Sequence, residues 1–189
     1  MIVIDQNNTI CVQFTDKQMD ALRDYRNRWI ANWQQTPAMV NRYLERRASN
    51  RPMEHVLAEH RNKVLLGFMG ELALHQYFGI EYHYKVVPGD VSPTDVDGVE
   101  VRSTDSFTKR LITHSYDKPT AYVLAVCDEH VAVAYLRGWA HLRDCNVTAH
   151  LDNPNNGPWA YFTPATELHP MPKLREHYHN RKRRLSNGI

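Results

Sequence analysis

The spacing of apolar positions changes character near residue 79 and divides the chain into a helical first part and a strand-rich second part. Apolar runs at 2–4 and 10–14, separated by Asp5-Gln6-Asn7-Asn8-Thr9, predict an N-terminal hairpin. Thr15-Asp16-Lys17-Gln18 then reads as a capping box, with Thr15 at the N-cap and Gln18 three residues on. Helical spacing follows through Met19, Leu22, Tyr25, Trp29, Ile30 and Trp33, until Pro37 biases its predecessor away from helix. A second helix is expected over 38–48, with Arg46-Arg47 suiting the negative end of its dipole. A third is expected from Asn50 as cap, with Pro52 in its first turn, to Phe78, closed by Gly79. From Val64 onward this helix is apolar almost all round, which predicts burial. Gly67 and Gly70 are poor helix formers, and their presence predicts close approach to something flat, such as a sheet.

Beyond Gly79 the period becomes two. Strands are expected at 81–87, on both sides of Asp97-Gly98, and at 110–114, 121–127 and 130–136, in an antiparallel arrangement. A short helix is expected from Gly138 to Asp144, a loop over 151–158, a strand near 160–164 and a polar helical or disordered tail from Pro170. Helices first and sheet afterwards give the α+β class. The chain divides into an N-terminal hairpin with helices (1–52), a core (53–165) and a basic tail (166–189). Tyr25, Trp29 and Trp33 read as core or subunit packing, so residues 15–50 are the segment expected to meet a second copy or a protein partner. Trp139 and Trp159 read as core.

Composition changes this picture little. The chain has 189 residues and a net charge of +2, and 42% of its residues are hydrophobic, within the range of an ordinary globular domain. Cys11, Cys127 and Cys145 lack the spacing of a zinc or redox motif, which suits a reducing cytoplasm. No apolar run approaches the ~18 residues of a membrane span, and Met1–Ile10 has no leader pattern. His177 and His179, two apart on a helix, fall on different faces. With no HExxH in the chain, zinc is not expected. Lys173, Arg175, Arg181, Lys182, Arg183 and Arg184 form a basic tail that suits phosphate backbones, or is simply solvated.

The chemistry concentrates in Asp95-Val96-Asp97-Gly98-Val99-Glu100-Val101-Arg102. Asp-Gly inside an alternating pattern signals a two-residue hairpin turn, which sets Val96 opposite Val99 and Asp95 opposite Glu100. Val99 and Val101 then share one face, and Asp95, Glu100 and Arg102 share the other. Opposed carboxylates repel, and a hard divalent cation such as Mg²⁺ removes the penalty. Arg102 would hold a phosphate oxygen or partly offset the acids. The alternative is a solvated ion-pair cluster. Glu71 lies on the apolar face of the third helix, beside Val64, Gly67, Phe68, Leu74, His75 and Phe78. A carboxylate there needs a partner. It is either a third metal-binding acid or the partner of His75 or Arg102.

The segments Gly67–Gly79, Asp95–Thr104, 110–114 and 121–127 together resemble the PD-(D/E)XK nuclease superfamily, and more narrowly small phage-encoded proteins of that type. Residues 135–144 and 161–174 are similar to the end of such proteins, so the resemblance covers roughly 60–175. It implies a restriction-endonuclease-like core, with a mixed sheet and a core helix that carries Glu71. It also implies Mg²⁺- or Mn²⁺-dependent hydrolysis of DNA in the cytoplasm, in a host cell where the chain is phage-encoded. Glu71 matches the acid of the first core helix, Asp95 the metal-binding aspartate and Glu100 the acid of the Glu-x-Lys element. Asp97 is a poorer match than Asp95. Arg102 stands where the family has lysine. Arginine stabilises an anionic transition state but does not deprotonate, so an amine would have to come from elsewhere, for example Lys85 or Lys109. That departure leaves an alternative: a catalytically inactive nuclease-fold module that binds DNA or a protein, in a structural or anti-defence role.

Overall fold

The computed structural model describes residues 1–5, 8–35, 40–41, 52–83, 95–96, 98–154 and 158–186, with the backbone alone for 181–186. The expected second helix, Asn50, residues 84–87 of the expected strand, Lys85 and Asp97 lie outside the described residues or, for the second helix, largely so. The chain is α+β, and the described residues form a mixed sheet and four helices.

Strands β1 (Ile2–Ile4) and β2 (Ile10–Gln13) form the N-terminal hairpin. Helix α1 (Asp16–Gln34) starts with the capping box, in which Thr15 Oγ1 accepts from the Gln18 amide and Gln18 Oε1 from the Thr15 amide. Tyr25 and Trp33 are buried against helix α2 (Met53–Phe78), with the Tyr25 and Phe68 rings 4.4 Å apart. Helix α2 begins directly after Pro52, which takes the N-cap position without a side-chain cap. It ends at Gly79, whose φ of +70° is the left-handed conformation that closes helices.

The five-stranded sheet has the order β1-β2-β6-β5-β3, where β3 is Val99–Thr104, β5 is Ala121–Asp128 and β6 is Val133–His141. The N-terminal hairpin therefore extends the same sheet as the later strands. Strand β5 is buried over Ala121–Cys127 and lies between two neighbours, β3 running parallel to it and β6 antiparallel. The sheet is thus mixed, as the resemblance implies, and not antiparallel throughout, as the strand pattern alone suggests. After β3 the chain crosses to a second sheet, places β4 (Leu111–Thr113) there, and returns beside β3 in the same direction. A continuous apolar run such as 121–127 is what a strand covered on both faces looks like.

Other expectations also change. Strand β6 continues through Gly138, Trp139 and Ala140, so helix α3 covers only Leu142–Cys145. The register slips between Leu124 and Ala125, and Gly138 meets Leu168 and His169 so closely that a Cβ would lie 2.8 Å from Leu168 Cβ. Leu151–Asp152 is strand β7 instead of loop, because it pairs with β8 (Ala160–Thr163). Residues 81–83 are not strand. Trp139 is buried as expected, but Trp159 is 60% exposed.

Helices α1, α2 and α4 (Met171–Ser186) contribute to the main core on one side of the sheet. Tyr77 donates its hydroxyl to the Met171 carbonyl, and the Phe78 and Tyr178 rings are 4.3 Å apart. Leu111, Tyr122, Leu124, Ala140, Leu142 and Cys145 form a smaller core toward the β4-β8-β7 sheet. No described helix is long and apolar enough to cross a membrane.

Candidate functional site

Among the described residues strand β3 is an edge strand, and α2 lies directly over it. Gly70 makes this possible: a Cβ there would lie 2.1 Å from Ser103 Oγ and 2.9 Å from Val101 Cγ1. Gly67, expected to act similarly, has open space around it. Val101 and Ser103 thus turn toward α2, and alternation sends Glu100 and Arg102 to the other face, as the sequence predicts.

The hairpin is shorter than expected. Val96 and Val99 exchange backbone hydrogen bonds of 3.0 and 2.6 Å across Gly98, whose φ is +84°. Regular pairing stops there. In place of a cross-strand position opposite Glu100, Asp95 turns its carboxylate to the open edge of β3, where Oδ2 accepts the Val101 amide at 2.7 Å. A side chain thereby satisfies an amide that an edge strand leaves exposed.

Glu71 reaches the same region from α2. Its Oε2 accepts the Tyr82 hydroxyl at 3.1 Å, while His75 Nδ1 contacts the Glu71 backbone carbonyl at 2.8 Å and not its carboxylate. Burial, followed by the neighbouring Asp95 charge, pushes the Glu71 carboxyl up to about 8; Glu100 adds a smaller push and the Tyr82 hydrogen bond opposes it. Burial also raises Asp95, to about 6, against the Val101 amide; Glu100 raises it further, and Arg102 and Lys118 pull it down. Glu71 therefore senses Asp95 and Glu100, and Asp95 senses Glu100, across the edge of β3.

Arg102 is not aimed at the acids alone. Its Nη2 donates to Asp117 Oδ2 at 3.1 Å, and its guanidinium carbon lies 5.2 Å from the Tyr122 ring centroid. Asp117 is 9% exposed and also accepts the His114 amide, which fixes the arginine's direction. The amine beside the acids is instead that of Lys118, with Nζ 3.4 Å from Glu100 Oε1. Sequence reasoning missed Lys118, Asp117 and Tyr82. Asp117 and Lys118 lie in an irregular segment, where no periodicity assigns a face, and Tyr82 lies in a stretch expected as strand that is irregular in the structure.

Among the described residues no group of three or more His, Cys, Asp or Glu side chains is arranged to hold a metal ion by itself. Magnesium does not require such a cage, since it keeps several waters and binds through one or two carboxylates plus phosphate oxygens. Asp95 and Glu100 fit that demand: one Asp95 oxygen is fixed on Val101, and Glu100 is only 14% exposed. Glu71, held by Tyr82, suits contact through water. The histidines do cluster elsewhere, with His141, His169 and His177 around Trp139 at ring distances of 5.3, 5.0 and 5.6 Å.

In the basic tail, Lys173 and Arg175 are exposed on α4, and Arg175 lies 5.7 Å from the Tyr77 ring centroid. The side chains of Arg181, Lys182, Arg183 and Arg184 are outside the described residues. No family model matches the chain, and no curated protein or solved structure is detectably similar to it.

Proposed function

We propose that the chain is a divalent-metal-dependent nuclease of the PD-(D/E)XK type, hydrolysing DNA phosphodiester bonds at the Glu71, Asp95 and Glu100 edge of β3. The observation that carries this reading is the Asp95 carboxylate fixed on the Val101 amide at the edge of β3, within electrostatic reach of Glu71 from the helix and Glu100 from the strand. Asp95 and Glu100 would hold Mg²⁺ or Mn²⁺, which when bound supplies Lewis acidity and a more acidic water. Lys118 delivers positive charge where the scissile phosphate would meet Glu100, a part that the family's lysine plays from the strand. Arg102, braced by Asp117, offsets negative charge at the next step along β3. Glu71 in its neutral form is a hydrogen-bond donor rather than another negative charge.

The direct test is cleavage of plasmid and single-stranded DNA with Mn²⁺, comparing the wild type with Asp95→Asn. Loss of about a hundredfold or more is expected from the substitution. Equal cleavage by both proteins removes the site assignment. A second reading has its own support, because Arg102 is committed to Asp117 and Tyr122 and no lysine occupies its place. It is a nuclease-fold module that binds DNA or a protein without cutting, and absence of cleavage by the wild type under all metals would favour it.

A further inference from the structure

A cleft of about 590 Å³ runs past the C-terminal half of β3, between α2 and the segment that leads into β4. Its walls carry Lys63 on one side and Lys109 and Arg110 on the other, with Arg102 at the strand. Ile112, 37% exposed, supplies the accessible apolar side chain, with Leu66 and Leu124 buried beneath the cleft. Glu59 and Asp105 are the acids among the lining residues, and Glu59 is paired with Lys63. Lys109 and Arg110 are exposed, and the described ion pairs involve neither of them. The cleft therefore combines cationic walls with an apolar interior.

We infer that this cleft is a binding track for a single nucleic-acid strand that leads to the carboxylates at the other end of β3. The inference rests on the nuclease reading for its direction and on the cleft alone for its ligand. A duplex turns its phosphates outward and buries its base faces, so an apolar interior has nothing to meet in it. A single strand offers both phosphates for Lys109 and Arg110 and base faces for Ile112 and the aliphatic stems beside it. The volume is that of a small-ligand pocket and excludes a double helix. Direction follows from the strand itself. Arg102 lines the cleft and Glu100 lies two residues back on the same face, about 6–7 Å away at the usual rise of a strand. A strand seated in the cleft thus passes its backbone to Glu100 and Asp95. This places the binding surface on the fold, at Lys109 and Arg110, in addition to any contribution from the basic tail.

Fluorescence anisotropy in EDTA tests this without any cleavage. The probes are labelled oligo(dT), oligo(U) and a blunt DNA duplex of equal length. Oligo(dT) is expected to bind about tenfold or more tightly than the duplex, and Lys109→Glu/Arg110→Glu to weaken it by about tenfold or more with a shallower salt dependence. Both positions are exposed, and an unchanged melting temperature will show that the variant is folded. Equal or tighter duplex binding, or oligo(dT) affinity unaffected by the double substitution, overturns the inference. Oligo(U) binding as tightly as oligo(dT) supports it, because the contacts are to phosphates and base faces. A protein that cleaves DNA but shows no strand preference here loses this inference alone. One that binds oligo(dT) but cleaves nothing loses only the nuclease reading.

Discussion

The sequence points to Glu71, Asp95 and Glu100 because an alternation or a helix face sets each carboxylate where it needs a partner. What periodicity does not convey is which polar loop residue comes back to meet them. Lys118 sits just before Pro119 in an irregular segment, and only the crossover from β3 to β5 brings it to Glu100. Lys118→Met is expected to lower the turnover of Mn²⁺-dependent cleavage by about 10²-fold with little change in oligonucleotide affinity, as measured by single-turnover kinetics. Glu71 makes a separate prediction. Its folded-state carboxyl is raised from an ordinary 4.5 to about 8, so between those values the folded protein holds a proton that the unfolded chain has released. Stability without metal is therefore expected to fall as pH rises from about 5 to 8, and Asp95 acts in the same direction at the lower end of that range. Glu71→Gln should flatten the upper part of the slope in melting curves taken across this pH range. A slope unchanged by the substitution would exclude Glu71 as its source.

At the scale of elements, local signals with their own hydrogen bonds translated best. The Thr15–Gln18 box and the Gly79 stop needed no tertiary information, and both ends formed as read. Elements defined by packing did not translate as well. Gly138 looked like an interruption between strand and helix, whereas β6 runs straight through it, using its bare Cα to let Leu168 and His169 approach. Asp95 and Glu100 looked like a cross-strand pair, but the hairpin ends one pair sooner and the Asp95 side chain takes over the edge. Gly70 carries the contact between α2 and β3. Gly70→Ala is expected to destabilise the protein by about 1–3 kcal/mol through overpacking against Ser103 and Val101. Gly67→Ala, in open space, should be neutral or stabilising by up to about 1 kcal/mol. Denaturant titration of the pair decides this, and equal effects would mean that α2 does not rest on β3 through Gly70.

For the molecule as a whole, the α+β class followed from the change of period at Gly79, while the mixed direction of the sheet did not, because parallel pairing is a property of connections and not of residues. Whole-molecule stability also offers a check on the metal reading. A cation that binds only the folded state at a hundred times its dissociation constant adds about 2.7 kcal/mol. The melting temperature should therefore rise with millimolar Mn²⁺ over EDTA and fail to rise in Asp95→Asn. The pairing of β2 with β6 has a consequence of a different kind. Ile10 sits beside Leu136, and Met171 and Leu174 complete the same core. During synthesis the first strands would emerge long before their neighbour exists, and the core would still lack one wall when β6 arrives. The apolar residues of Ile2–Ile4 and Ile10–Gln13 thus spend much of translation without a sheet to join, exposed to the chaperones and proteases of the cell. The interval ends only when a strand made more than a hundred residues later comes back to fetch them.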